Sequence, residues 1–92
     1  MKAKRLGFRK GFVIVLGNKR SQAATMVIPV GGNEGGANNN HRGMDQWLFV
    51  VSGKGTLRIG GNSVSLQASR LILIERGQNH EIRNVGTTDL VT

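Results

Sequence analysis

The chain has 92 residues, enough for one domain, and a domain of this size buries about 60–65% of its unfolded surface, so its core has to be compact or completed by a partner. It contains no cysteine, which excludes disulfides and thiolate metal sites and leaves imidazole, carboxylate, amide and water as ligands for a transition metal. Thirteen Lys and Arg against five Asp and Glu give a formal charge of +8.

The charge is concentrated at the start. Residues 1–10 carry Lys2, Lys4, Arg5, Arg9 and Lys10 and no acid, so we read them as a basic, flexible N-terminal arm. Such an arm can neutralise phosphates. The four aromatic residues, Phe8, Phe12, Trp47 and Phe49, are not interleaved with basic residues as base-stacking platforms are, so nucleic acid is not an expected partner. The longest apolar run, Phe12 to Leu16, is well short of the roughly 20 residues that span a bilayer and short for a signal-peptide core of about 7–15. No membrane association is expected, and the expected location is cytoplasmic.

No 11-residue window holds a glycine-free helical pattern, and 14 glycines divide the chain into short strand-like pieces. Residues 12–16 and 22–30 flank Gly17-Asn-Lys-Arg20, a plausible hairpin connection, with Pro29 marking a strand end or an edge. Residues 31–40 (GGNEGGANNN) read as one long loop, and loops of that length are commonly functional. Strands are then expected at 46–52, 55–60, 63–66, 70–75, 80–84 and 88–92, with Gly60-Gly61-Asn62 as a tight hairpin. The last of these, Asp89 to Thr92, reaches the end of the sequence without a terminating feature. Eight short strands point to an all-β sandwich or barrel.

Alternation assigns faces. Leu57 and Ile59 oppose Thr56 and Arg58, and Val64 and Leu66 oppose Ser63 and Ser65, as in strands with one wet side. The 46–52 strand is apolar on both faces: Gln46, Leu48 and Val50 on one, Trp47, Phe49 and Val51 on the other. Trp47, Phe49 and Val51 are therefore candidates for a subunit interface, and a homodimer is expected.

Two segments carry the chemistry. In the first, His41 is followed after four residues by Gln46 and after six more by Gly53; in the second, Ser69, Glu75, Gly77, His80 and Asn84 are spaced by five, one, two and three residues. This pattern resembles the two motifs of the cupin superfamily, G-x5-H-x-H-x3-4-E-x6-G and G-x5-P-x-G-x2-H-x3-N, across essentially the whole chain. Gly53, Gly77, His80 and Asn84 keep motif positions; Ser69 and Glu75 stand where the family has Gly and Pro. Two registers fit the first motif. With His41 as the second histidine, Asn39 stands at the first and Gln46 at the glutamate; with His41 as the first, Gly35 opens the motif and Gly43 replaces the second. The former preserves an allowed spacing from His41 to position 46 and is preferred.

The resemblance implies a cupin-type double-stranded β-helix, a jelly-roll barrel of about eight strands, over residues 11–92. It also implies a divalent transition metal (Fe, Mn, Ni or Zn) bound by His41, Gln46 and His80, with Asn39 as a further oxygen donor, and a small oxygenated metabolite as ligand. Enzymes of this type include metal-dependent dioxygenases, isomerases and decarboxylases; the alternative is a metal-free binding or sensing domain. Side-chain alternation in a barrel allows Gln46 and His80 to share a cavity, with Leu48, Val50, Leu57, Ile59, Val64, Leu66 and Ile82 as its apolar wall. Gly53, Gly77 and Asn84 are read as structural, Asn84 serving the Val85-Gly86 turn. Glu81 and Asp45 are out of phase with His80 and Gln46, so no carboxylate is expected to act as a general base.

Overall fold

Antiparallel pairing organises the whole of the computed structural model, which describes residues 1–35 and 44–92. Among the described residues nine strands form: β1 (Gly11–Gly17), β2 (Gln22–Ile28), β3 (Asn33–Gly35), β4 (Gln46–Phe49), β5 (Lys54–Ile59), β6 (Asn62–Gln67), β7 (Leu71–Ile74), β8 (His80–Asn84) and β9 (Leu90–Val91). They are ordered β1-β2-β9, β3-β8-β5-β6 and β4-β7. No helix among these residues is long and apolar enough to cross a membrane.

Local chemistry explains the turns. The Asn18 side-chain oxygen accepts from the backbone N–H groups of Arg20 and Ser21, both at 2.9 Å, and this folds the β1-β2 hairpin. β2 stops before Pro29, which cannot donate to a ladder. Gly60 and Gly61 form the two-residue loop between the paired Ile59 and Asn62, with Gly60 at φ +59°. Gly53, at φ +92°, passes so close to β9 that an added Cβ would lie 2.8 Å from the Leu90 Cα. Backbone bonds from Val51 N–H and Ser52 N–H to Val91 O tie the segment after β4 to β9, while Val50 N–H to Arg70 O and Met26 N–H to Thr92 O extend the β4-β7 and β2-β9 pairings.

Two expectations are corrected. Residues 31–40 do not begin as a continuous loop: Asn33 to Gly35 pair with Arg83 to Glu81 and add β3 to the edge of β8. The segment is too short and too rich in glycine to show an alternating pattern, and backbone pairing rather than side-chain burial makes it a strand. The 46–52 strand is also shorter than expected, because regular pairing of β4 with β7 ends at Phe49.

The core gathers Met26, Ile28, Leu48, Val50, Leu57, Leu66, Ile74, Ile82 and Leu90. Asn84, itself buried, fastens this core to the loops. Its side-chain amide donates to Ile28 O and Thr88 O, both at 2.8 Å, and its oxygen accepts from Gly86 N–H at 2.9 Å. On the outside of the β4-β7 pair, Trp47 lies opposite Leu73 and Phe49 opposite Leu71. With Val51 these residues form an uncharged apolar strip, Trp47 being 67% exposed.

Asn84→Ala removes three hydrogen bonds and strands two carbonyls and an N–H, so it should cost about 3 kcal/mol, measured as a lowered urea midpoint. Asn84→Asp should not restore stability, since a carboxylate cannot donate to Ile28 O and Thr88 O.

Candidate functional site

A cavity of about 310 Å³ opens between the β1-β2 hairpin and strands β3, β4 and β8. Phe12, Met26, Ile82 and Gly35 form its apolar wall; Gln46, His80 and Glu34 supply its polar groups. This size is at the small end of the range for metabolite pockets.

Strand geometry sets each polar group. Gln46 opens β4 and shares its inward phase with Leu48 and Val50, which are 4% and 0% exposed. The Gln46 Oε1 atom is buried and accepts no hydrogen bond among the described residues. His80 opens β8, pairs with Ile59, and shares a face with Ile82 and Asn84; all three are buried. Glu34, at the centre of β3, lies directly opposite Ile82 and so takes the same inward face.

The other carboxylates are turned away. Glu81 accepts from Arg83 Nε at 3.1 Å and from Asn33 Nδ2 at 3.1 Å on the outer surface, and the Arg83 bond, seconded by Asn33, holds its carboxyl below the usual carboxylate range. Asp45 accepts from the backbone N–H of Arg76 at 3.0 Å. Glu34 is therefore the described acid that reaches the cavity, a residue that reading 31–40 as a loop had hidden. The available signal was that it is the sole carboxylate in that glycine- and asparagine-rich stretch.

Gln46 and His80 line one cavity, whereas Asn39 and His41 lie outside the described residues. Of the seven apolar residues expected as a wall, Ile82 lines the cavity. Leu48, Val50, Leu57 and Leu66 fill the core, Ile59 packs against it, and Val64 is half-buried. The cavity instead takes Phe12 and Met26 from the N-terminal hairpin. Gly53 and Gly77 have φ of +92° and +81°. A second hollow, of about 270 Å³, borders Gly31, Gly32, Asn33 and Arg83 beside Asn84, but the Arg83 guanidinium there is engaged by Glu81. Among the described residues no group of three His, Cys, Asp or Glu side chains is arranged to hold a metal ion.

Comparison with known proteins identifies this architecture. The family model described as the cupin domain matches residues 24–92. An oxalate-binding protein from Thermotoga maritima is 30% identical over 73 residues, covering 79% of this chain; this chain spans 59% of that protein. A predicted oxalate decarboxylase structure from Thermotoga maritima superimposes with a TM-score of 0.68 at 29% identity, covering 74% of this chain and 57% of that one. A cupin protein from Bacteroides fragilis superimposes with a TM-score of 0.81 at 20% identity, covering 99% of this chain and 80% of that one. The all-strand barrel with Gln46 and His80 on its inner face is thus a double-stranded β-helix, and the chain belongs to the cupin family.

Proposed function

We propose that this domain binds a small oxygenated ligand, of the class of short carboxylates such as oxalate, together with a divalent transition metal held by His41, Gln46 and His80. The observation that carries the reading is the buried Gln46 Oε1, an acceptor without a donor among the described residues, in a cavity also lined by His80. Leaving such an acceptor unmatched costs about 1–3 kcal/mol, and a cation in the cavity offsets that cost. The fit is chemical as well: imidazole and amide oxygen suit Fe, Mn, Ni or Zn, and the chain has no thiolate to draw the site toward softer ions. When bound, a divalent ion supplies positive charge for a carboxylate ligand and polarises its oxygen. Phe12, Met26 and Ile82 give the remaining sides an apolar lining.

Binding is the activity this arrangement supports most directly. Turnover by a decarboxylase, isomerase or dioxygenase would also need a group to move protons, and Glu34 faces the same cavity. The metal-free alternative draws on one observation, that no group of three His, Cys, Asp or Glu side chains gathers among the described residues.

The uncharged strip of Trp47, Phe49, Val51, Leu71 and Leu73 supports association with a second copy. It is a sheet face whose large side chains have no cover, on a chain whose like charges would otherwise repel.

Protein purified without chelator should carry close to one equivalent of transition metal by elemental analysis, lost in Gln46→Ala and His80→Ala, and oxalate should raise its melting temperature only when metal is present. Absence of stoichiometric metal, with ligand stabilisation indifferent to chelator, would establish the metal-free alternative. Gln46→Met keeps the volume and removes the orphaned acceptor, so the metal-free protein should gain about 1 kcal/mol, or about 4–8 °C in Tm. Light scattering should return twice the 9.9 kDa chain mass for the parent and the single-chain mass for Trp47→Glu.

A further inference from the structure

We infer that Glu34 is a metal ligand, the group that restores the negative charge lost where position 46 carries an amide; this rests on the metal-binding reading above. Three observations converge on it. The Glu34–Ile82 pairing fixes its direction, because Ile82 is 1% exposed and partners directly opposite in an antiparallel ladder share a face. The residue before it on β3 confirms the alternation from the other side: Asn33 sends its amide outward to Glu81 at 3.1 Å. On the inward face, Glu34 and His80 are diagonal neighbours across the β3-β8 pair, since His80 lies two residues from Ile82. Such pairs stand roughly 7–8 Å apart at their backbones, a span that two long side chains close.

Charge gives the second step. Arg83, the cation on this stretch of β8, faces outward and is taken by Glu81, while Glu34 makes no ion pair and accepts no hydrogen bond among the described residues. The cavity therefore holds a carboxylate and a buried amide oxygen, both acceptors, beside an imidazole. An anion entering alone would meet repulsion from Glu34 and leave the acceptor Gln46 Oε1 unmatched. A divalent cation meets three donors from three different strands, β3, β4 and β8, and the ion and these donors together keep a net charge of +1 instead of the +2 that Gln46 and His80 alone would leave.

The test uses the metal alone. Chelator-stripped protein is titrated with Mn²⁺ by calorimetry and followed by the electron spin resonance of bound Mn²⁺, for the parent, Glu34→Gln, His80→Ala and the exposed Glu75→Gln. Glu34→Gln should weaken Mn²⁺ binding by at least about tenfold, the loss that even an outer-sphere partner of a metal produces, while Glu75→Gln binds like the parent. Without metal, Glu34→Gln should melt no lower than the parent, because an uncompensated carboxylate has been removed. Parent-like affinity in Glu34→Gln combined with loss in His80→Ala would overturn the role of Glu34 and leave the metal site standing. Absence of Mn²⁺ binding in the parent would overturn both. A lowered melting temperature of metal-free Glu34→Gln, with unchanged Mn²⁺ affinity, would make Glu34 a structural residue.

Discussion

The register of β8 is the constraint on which the rest depends. Pairing of Ile82 with Leu57 on one side and with Glu34 on the other sends His80, Ile82 and Asn84 inward and Glu81 and Arg83 outward. One strand thereby supplies a cavity wall group, a core side chain and the clamp that binds Ile28, Gly86 and Thr88. A slip of one residue would exchange the two faces, burying a carboxylate and a guanidinium and expelling the histidine. The buried amide of Asn84 works against that slip, since its three bonds form in one register alone.

The inner face of the barrel is divided between two uses. Toward β5, β6 and β9, Leu57, Leu66 and Leu90 close the interior completely. Toward the β1-β2 hairpin the packing stops short, and the space left is bordered by Glu34, Gln46 and His80. Filling that space with aliphatic side chains would add stability; keeping polar groups there costs stability in the empty protein, a cost that the proposed cation would offset. A site that holds unmatched acceptors in this way is a common signature of function.

Much of this was legible in the sequence where a local rule acts alone. The Gly60-Gly61 hairpin, the stop at Pro29 and the inward phase of His80 and Ile82 follow from turn chemistry and from alternation. The left-handed demand at Ser69 persists at φ +71° although the glycine of the motif is absent, so the spacing of the second motif outlived one of its residues. What escaped depends on distant partners. β3 has three residues and owes its existence to β8, so Glu34 read as a loop residue. Alternation also groups Leu48, Leu57 and Ile82 together as inward, but it cannot separate those that meet another core side chain from the one facing the cavity. That distinction is made by Phe12 and Met26, contributed by a hairpin far away in the chain.

The central claim, that β3, β4 and β8 converge their polar side chains on one cation, is tested most directly by anomalous diffraction from crystals of the Mn²⁺-loaded protein. The account predicts a single strong peak in the cavity, about 2.0–2.4 Å from His80, Gln46 Oε1 and a Glu34 oxygen. A peak bound instead by surface carboxylates such as Asp45 or Glu75, with the cavity holding none, would contradict it.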